Sequence, residues 1–302
     1  MLFTKRTDLA VESKEMAEKS AGEQARLSGV IAKETTQNGC NVLTIDILDK
    51  NGEAALGKPV GTYITINIPL DTALDKARFS DCVGAAATQL HKLIKPHSNA
   101  PILVCGLGNS DITPDAVGNL AVKNIMITTH LVEKLPGTFG HMQKVSAITP
   151  GVLGITGVES KEIIKGVCER VKPGLVIVVD ALAAQSLSRL LTTIQISNTG
   201  ITPGSGVGNS RAALDRDSLG VEVLAIGVPT VVDAATVTAN ILERAGVDET
   251  NQPDYSEFGG QLMVTPKDID SKVRHVSKII GFAINKAVHH DISIIDMEDF
   301  LG

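Results

Sequence analysis

The chain has 302 residues, of which 43% are apolar and 21% are charged. This balance is ordinary for a folded globular protein, and the length allows one large α/β domain or two modest ones. The 28 basic and 34 acidic side chains give a net charge of -6 without any cluster of lysines and arginines, which argues against a broad nucleic-acid-binding surface.

Four scattered cysteines, Cys40, Cys82, Cys105 and Cys168, predict neither a disulfide framework nor a CxxC site. Residues 1–8 become charged before a signal-like apolar core can form. No apolar run approaches the roughly 20 residues that a membrane helix needs. We therefore expect a cytoplasmic protein that does not enter a membrane.

The first third of the chain has three kinds of pattern. A polar stretch becomes helical from about Lys14 onward. Alternation of apolar and polar side chains then predicts half-buried strands over residues 40–47 and 61–69, with turn chemistry between them at Lys50-Asn51-Gly52. Apolar residues at helical spacing predict an amphipathic helix over residues 77–95.

Three predominantly apolar runs follow, at residues 101–105, 174–179 and 221–226. Such runs are typical of strands that are covered on both faces. Helical patterns lie between and after them, one capped by Ser160 and another opened by Thr265-Pro266. The alternation predicts one α/β domain with a mostly parallel or mixed sheet and helices on both faces.

Acidic residues lie where two of these strands end. Asp180 directly follows the run at 174–179, and Asp115 lies in the segment that follows the run at 101–105. Function collects at this rim of an open α/β sheet. From position alone, Asp180 is either a partly desolvated acid with a raised pKa or a helix N-cap. Asp115 is either a second such acid or a first-turn residue of a helix begun by Thr113-Pro114.

Two carboxylates at one rim can share a proton and activate a water molecule, because like charges at close range do not both ionise. The ionised acid then acts as the base, and the protonated one polarises the carbonyl that is attacked. Asp111 has the simpler interpretation of a solvated loop acid, and Asp233 that of a helix cap. The sequence indicates that Asp115 and Asp180 lie on the same rim, but it does not give the distance between them.

Glycine-rich segments offer a competing interpretation. Gly106-Leu107-Gly108 and Gly204-Ser205-Gly206-Val207-Gly208 could approach a phosphate through backbone amides. Neither matches a dinucleotide or P-loop signature, and plain tight turns are the favoured interpretation. The seven histidines are scattered without metal-ligand spacing. We therefore predict no cofactor and no metal.

Several longer blocks are specific enough to identify a family. They are Arg6-Thr7-Asp8-Leu9-Ala10-Val11-Glu12, Gly106-Leu107-Gly108-Asn109, Thr113-Pro114-Asp115-Ala116, residues 149–157, Val179-Asp180-Ala181-Leu182-Ala183-Ala184, residues 192–197, residues 203–209, residues 225–234 and residues 262–267. In this order, along nearly the whole chain, they resemble the germination proteases of spore-forming bacteria, which degrade small acid-soluble spore proteins.

This resemblance implies an atypical aspartic endopeptidase whose two catalytic aspartates are Asp115 and Asp180. It implies an α/β fold similar to that of the hydrogenase maturation proteases, no cofactor, and assembly as a homotetramer in the cytoplasm of the spore core. Small acid-soluble spore proteins are the implied substrates. They are cut after an acidic residue and before a hydrophobic one that Ala follows.

The resemblance also implies a precursor that removes its own N-terminal segment. Thr7-Asp8-Leu9-Ala10 fits the cleavage pattern, so Asp8–Leu9 is the expected self-processing bond. Residues 1–8 would be the pro-segment, and residues 9–302 a single peptidase domain. Three other hypotheses remain open: a phosphate- or nucleotide-handling α/β enzyme, a catalytically inactive binder of spore proteins, and a metal-assisted peptidase.

Overall fold

One mixed β-sheet runs through the computed structural model, which describes residues 6–21, 27–69, 75–94, 100–247, 261–289 and 292–302. Nine strands lie within these ranges. They are β1 (Val30–Gln37), β2 (Cys40–Ile47), β3 (Gly61–Asn67), β4 (Ile102–Gly106), β5 (Val145–Ile148), β6 (Leu175–Ala184), β7 (Thr193–Ser197), β8 (Glu222–Asp233) and β9 (Met263–Val264).

The sheet has two halves that differ in strand direction. Its order is β1-β2-β3-β7-β8-β6-β4-β5, and β9 pairs with the end of β8. The parallel half consists of β5, β4, β6 and β8. The antiparallel half consists of β1, β2, β3 and β7, and β7 joins it to β8 by a further antiparallel pairing. The mixed α/β fold is thus confirmed.

Twelve α-helices surround the sheet in the described ranges. They are α1 (Ala10–Ala21), α2 (Lys50–Leu56), α3 (Lys76–Ile94), α4 (Val117–Val122), α5 (Thr129–Lys134), α6 (Pro136–Phe139), α7 (Leu153–Thr156), α8 (Ser160–Val171), α9 (Arg216–Leu219), α10 (Ala234–Arg244), α11 (Ile269–Val288) and α12 (Ile294–Leu301).

Helices cover both faces of the sheet, as the apolar runs predicted. Ile102 and Val104 of β4 belong to a core that α3, α4 and α11 complete on one face. Leu103 and Cys105 point the other way, into a second core that includes Ile164 of α8. A third cluster joins the antiparallel half to residues 9–11 at the start of α1. All four cysteines are buried and free.

Most predicted elements are confirmed within a few residues. The strands at 40–47 and 61–69 and the helix at 77–95 appear as β2, β3 and α3. The turn at Lys50-Asn51-Gly52 is wrong, because Asp49 accepts the N–H groups of Asn51 and Gly52 and begins α2 there. The edge strand β1 was not predicted. Most of its side chains are polar or small, and their burial does not alternate along the strand.

Two predicted helix caps are also wrong. The Ser160 hydroxyl donates to the carbonyl of Gly151, so α8 begins without a side-chain cap. The Thr265 hydroxyl donates to the carbonyl of Thr230, and α11 begins only at Ile269. In both places the hydroxyl forms a tertiary hydrogen bond instead of the expected helix-capping hydrogen bond.

Along the described ranges, no helix has both the length and the apolar character required to cross a membrane.

Candidate active site

Asp180 lies inside a strand and caps no helix. Strand β6 continues four residues beyond it, to Ala184, because β8 keeps pairing with this part of the strand. Asp180 is only 5% exposed, on the same face as Leu182. Its Oδ1 accepts the backbone N–H of Ala181 at 2.9 Å. The helix-cap interpretation is therefore wrong, as is the expectation that the strand stops before Asp180.

Asp115 lies in the turn that leaves the adjacent strand β4. Thr113–Asp115 forms a single 3₁₀ turn, without a side-chain cap, before α4. The Asp115 Oδ2 accepts the N–H of Asn109 at 2.7 Å. Gly108 has φ +93°, and a Cβ there would lie 1.9 Å from the Asp115 carbonyl oxygen. The Gly106-Leu107-Gly108 segment is therefore a tight turn that brings Asp115 back over the sheet.

The charge of Asp115 influences the ionisation of Asp180. Burial raises the pKa of Asp180 well above the usual aspartate range, and the charge of Asp115 raises it further, whereas the Ala181 N–H lowers it. Burial also raises the pKa of Asp115, and the N–H of Asn109 opposes that rise. Asp180 is more deeply buried, so it holds its proton to higher pH than Asp115 does.

Both acids line one cavity of about 640 Å³. Its walls come from the turn after β4, from α7 and the start of α8, and from the glycine-rich loop between β7 and β8. Asp111 is exposed and does not line this cavity. Asp233 lies elsewhere and caps α10 through the N–H groups of Ala235 and Thr236, as its simpler interpretation predicted.

Asp8 lies in the same cavity, next to the end of β6. Its backbone N–H donates to the Ala183 carbonyl at 3.0 Å. Its carboxylate accepts the Ala183 N–H at 2.9 Å and the Ser205 hydroxyl at 2.6 Å. A Cβ on Gly206 would lie 2.2 Å from the Asp8 Oδ2. The glycine-rich loop thus packs closely against a carboxylate of the chain itself.

Gln195 of β7 contacts the backbone on both sides of Leu9, a contact that sequence reasoning missed. Its Nε2 donates to the Asp8 carbonyl oxygen at 3.1 Å, and its Oε1 accepts the Ala10 N–H at 2.6 Å. Gln195 and Asp180 are both in register with Gly227 of β8, the strand between them. They therefore lie in one row across three adjacent strands.

A second carboxylate anchors the segment beyond Leu9. Glu12 is 1% exposed. It accepts the N–H groups of Gln185 at 2.6 Å and Ser186 at 3.0 Å, and it pairs with Arg189 at 3.1 Å. The Thr7 hydroxyl also donates to Glu12. Residues on both sides of the Asp8–Leu9 bond are thus fixed to the end of β6 and the segment after it.

A smaller cavity of about 270 Å³ meets the first one at Asp8. Lys58, Tyr63, Gln195 and Ser205 are among its lining residues. Desolvation lowers the pKa of Lys58, and the negative charges of Asp8 and Glu12 partly offset this effect. Lys58 therefore lines this cavity together with Asp8, within the electrostatic reach of both carboxylates of the N-terminal segment.

Sequence comparison matches this chain to one family over most of its length. A profile of the family Peptidase_A25, described as germination protease, matches residues 10–245. The chain belongs to the germination protease family. Germination proteases of Clostridium perfringens and of Caldanaerobacter subterraneus subsp. tengcongensis are 40% and 42% identical to it, over 100% and 98% of both chains respectively. A Bacillus cereus germination protease is 35% identical over 96% of this chain and 95% of its own length.

A search of solved structures gives a more distant match. A [NiFe] hydrogenase maturation protease, HycI, from Thermococcus kodakarensis superposes with a TM-score of 0.38 at 18% identity, covering 66% of this chain and 98% of the other. Membership in the germination protease family identifies the chain as a peptidase, and the resemblance inferred from its sequence blocks is confirmed.

Proposed function

We propose that this germination protease is a self-processing aspartic endopeptidase in which Asp115 and Asp180 activate a water molecule. One observation carries the proposal. A buried carboxyl group and a partly buried one, both with raised pKa values, line a single cavity together with Asp8. Pairs of this kind are suited to proton transfer at moderately acidic pH.

The unequal burial of the two acids assigns their roles. Asp115 is the first to ionise and acts as the base, taking a proton from water as its oxygen attacks the carbonyl carbon of the bond to be cut. Asp180 donates its proton to the carbonyl oxygen. When the tetrahedral intermediate collapses, the C–N bond breaks, Asp115 protonates the departing amine, and a hydroxyl proton returns to Asp180. One water molecule is consumed for each bond.

The self-processing bond in this proposal is Asp8–Leu9, with residues 1–8 as the pro-segment and residues 9–302 as the peptidase domain. Arg6, Thr7 and Asp8 of the pro-segment are described, whereas residues 1–5 lie outside the described residues. The contacts of Asp8 at the cavity support this choice. The segment around the bond also occupies the position that another substrate would need, which supports an inactive precursor.

The proposed substrates are small acid-soluble spore proteins, cut after an acidic residue and before a hydrophobic one that Ala follows. Asp8 is held by the donors Ala183 N–H and Ser205 Oγ, opposite the Lys58 charge. Leu9 and Ala10 are both fully buried. This environment supports a preference for an acid, then an apolar residue, then a small one. The spore core as the location and a homotetramer as the assembly belong to the same proposal.

The test is to incubate purified, processed protein with a small acid-soluble spore protein and to identify the new termini by mass spectrometry. We expect cuts that follow acidic residues and precede hydrophobic ones, and none with an Asp180→Asn variant that is likewise made to begin at Leu9. A protein substrate that is bound but never cut would instead identify an inactive binder. Cuts by Asp180→Asn at the wild-type rate would contradict the assigned pair.

A further inference from the structure

We propose that Gln195 is a catalytic residue that holds the bond being cut and stabilises the negative charge that develops on its carbonyl oxygen. This inference rests on the proposed function, because it takes Asp8–Leu9 as the bond that is hydrolysed. It assigns a role to a side chain outside the aspartate pair.

The geometry points to a two-point clamp. The Gln195 Nε2 donates to the Asp8 carbonyl oxygen at 3.1 Å, and this oxygen belongs to the Asp8–Leu9 peptide group. The Gln195 Oε1 accepts the N–H of Ala10 at 2.6 Å, one peptide group further along. The same side-chain amide therefore contacts the chain on both sides of Leu9. These two contacts fix the orientation of the Asp8–Leu9 peptide group.

The sheet holds this amide in place before any reaction begins. Gln195 is 8% exposed, in the middle of β7, between β3 on one side and β8 on the other. Neighbouring strands lie about 4.8 Å apart. Two strand spacings therefore separate the backbone of Gln195 from that of Asp180, and Gly227 lies between them without a side chain. The Gln195 Nε2 contacts the Asp8 carbonyl oxygen at one end of this row, and Asp180 at the other end lines a cavity together with Asp8.

A fixed N–H donor at this oxygen serves the reaction in a way that the aspartates alone do not. As water adds to the carbonyl carbon, the C=O bond becomes a C–O bond and negative charge accumulates on oxygen. The proton of Asp180 can satisfy one lone pair, and the Gln195 Nε2–H faces the other without being transferred. A hydrogen bond from a preorganised donor of this kind becomes stronger as negative charge develops on the carbonyl oxygen, whereas a water molecule would have to reorient to provide the same hydrogen bond.

The test measures the first-order rate of self-processing of the full-length chain by intact mass. Gln195→Met keeps the length of the side chain and removes both polar contacts. Losing an oxyanion donor slows reactions by about 10²- to 10³-fold, and we expect this reduction here. Thr193→Val is the matched control, because Thr193 is buried on the same strand and its hydroxyl has no partner within the described part of the chain. We expect it to process at the wild-type rate.

Gln195→Glu provides a second readout that a purely structural role would not change. The introduced carboxyl group can donate to the Asp8 carbonyl only when it is protonated. The rate of this variant relative to the wild type should therefore recover as the pH falls. A thermal melt of Gln195→Met reveals whether this variant folds. If it does not, the pH dependence of Gln195→Glu processing still tests the role of Gln195.

The outcomes separate this inference from the function on which it rests. Gln195→Met or Gln195→Glu processing at the wild-type rate and with the wild-type pH profile, while Asp180→Asn is inactive, would overturn the clamp and leave the aspartate pair intact. Processing by Asp180→Asn at the wild-type rate would overturn the proposed function itself.

Discussion

The parallel half of the sheet contributes the acids, and the antiparallel half contributes the amide that contacts the bond. Strand β6 lies beside β4 in parallel, and the turn that leaves β4 brings Asp115 to the cavity that Asp180 lines from within β6. Antiparallel strands have no common carboxyl end. Gln195 reaches the Asp8 carbonyl from the middle of β7, and its register with Gly227 places it in line with Asp180.

This difference separates two tasks. Asp115 lies on a turn and is partly exposed, so it can exchange protons with water, whereas Asp180 is buried within β6. A group in the middle of a sheet is fixed by pairing on both sides and is suited to holding a peptide in one orientation. The Asp8–Leu9 segment lies where the two halves meet, against β6 and β7, so the contribution of each half can be tested separately.

The largest expected effect is in the parallel half. Asp115→Asn removes the proposed base, and general-base catalysis is worth about 10²- to 10⁴-fold in rate, so processing of Asp8–Leu9 should slow by that factor. Asp111→Asn is the control, because Asp111 is an exposed acid in the same loop that does not line the cavity. Equal rates for the two variants, measured by intact mass, would remove Asp115 from the mechanism.

A smaller effect is expected in the loop that connects the two halves. A Cβ introduced by Gly206→Ala would overlap the Asp8 carboxylate and the Ala183 side chain. Overpacking of this size costs about 1–3 kcal/mol, which corresponds to roughly 5- to 150-fold slower processing. Gly166→Ala on α8 has nothing within 4 Å of its new Cβ and serves as the control. Normal processing by Gly206→Ala would mean that Asp8 is not held there when the bond is cut.

Ser205→Ala should have a still smaller effect. It removes one of the two donors to the Asp8 carboxylate and leaves the Ala183 N–H in place. One partly exposed hydrogen bond contributes about 0.5–1.5 kcal/mol, so we expect a roughly 2- to 10-fold lower rate. Pairing the variant with Asp8→Ala tests the contact directly. If the free-energy effects of Ser205→Ala and Asp8→Ala on the processing rate are additive in the double variant, the Ser205 hydroxyl does not act through Asp8.

A stability measurement tests the protonation of Asp180 independently of activity. The raised pKa means that the folded chain keeps a proton that the unfolded chain releases above the ordinary aspartate pKa, near 4. Wild-type stability therefore falls as the pH rises from that value toward the raised pKa.

Asp180→Asn does not titrate, so its Tm should exceed that of the wild type at neutral pH. Each kcal/mol of added stability corresponds to about 2–4 °C for a chain of this size. The gain should disappear as the pH approaches 4. Thermal melts across this range check the prediction, and a lower Tm for Asp180→Asn at neutral pH would contradict it.

How much of this could be predicted from sequence differs between the halves. The apolar runs of β4, β6 and β8 identify buried strands, and the acids beside them identify the rim. The strands of the antiparallel half are harder to predict from the sequence. The polar strand β1 has no alternating pattern, and its position depends on pairing with β2 along its whole length.

The site shows the same limit. Asp115 and Asp180 were expected to be the site residues, but their placement in one cavity depends on the turn at Gly108. Gln195 and Glu12 carry no local signal. Gln195 is one amide in an otherwise apolar and hydroxyl-bearing strand, and Glu12 resembles an ordinary first-turn helix acid. Their roles follow from contacts with residues more than 170 positions away.

The central claim is that the aspartate pair cuts the Asp8–Leu9 bond of its own chain. The most direct measurement follows the intact mass of the purified full-length protein over time at mildly acidic pH, with Asp180→Asn in parallel. We expect the wild type to lose residues 1–8 and begin at Leu9, whereas the variant keeps its full mass. The same loss from both proteins, at the same rate, would contradict it.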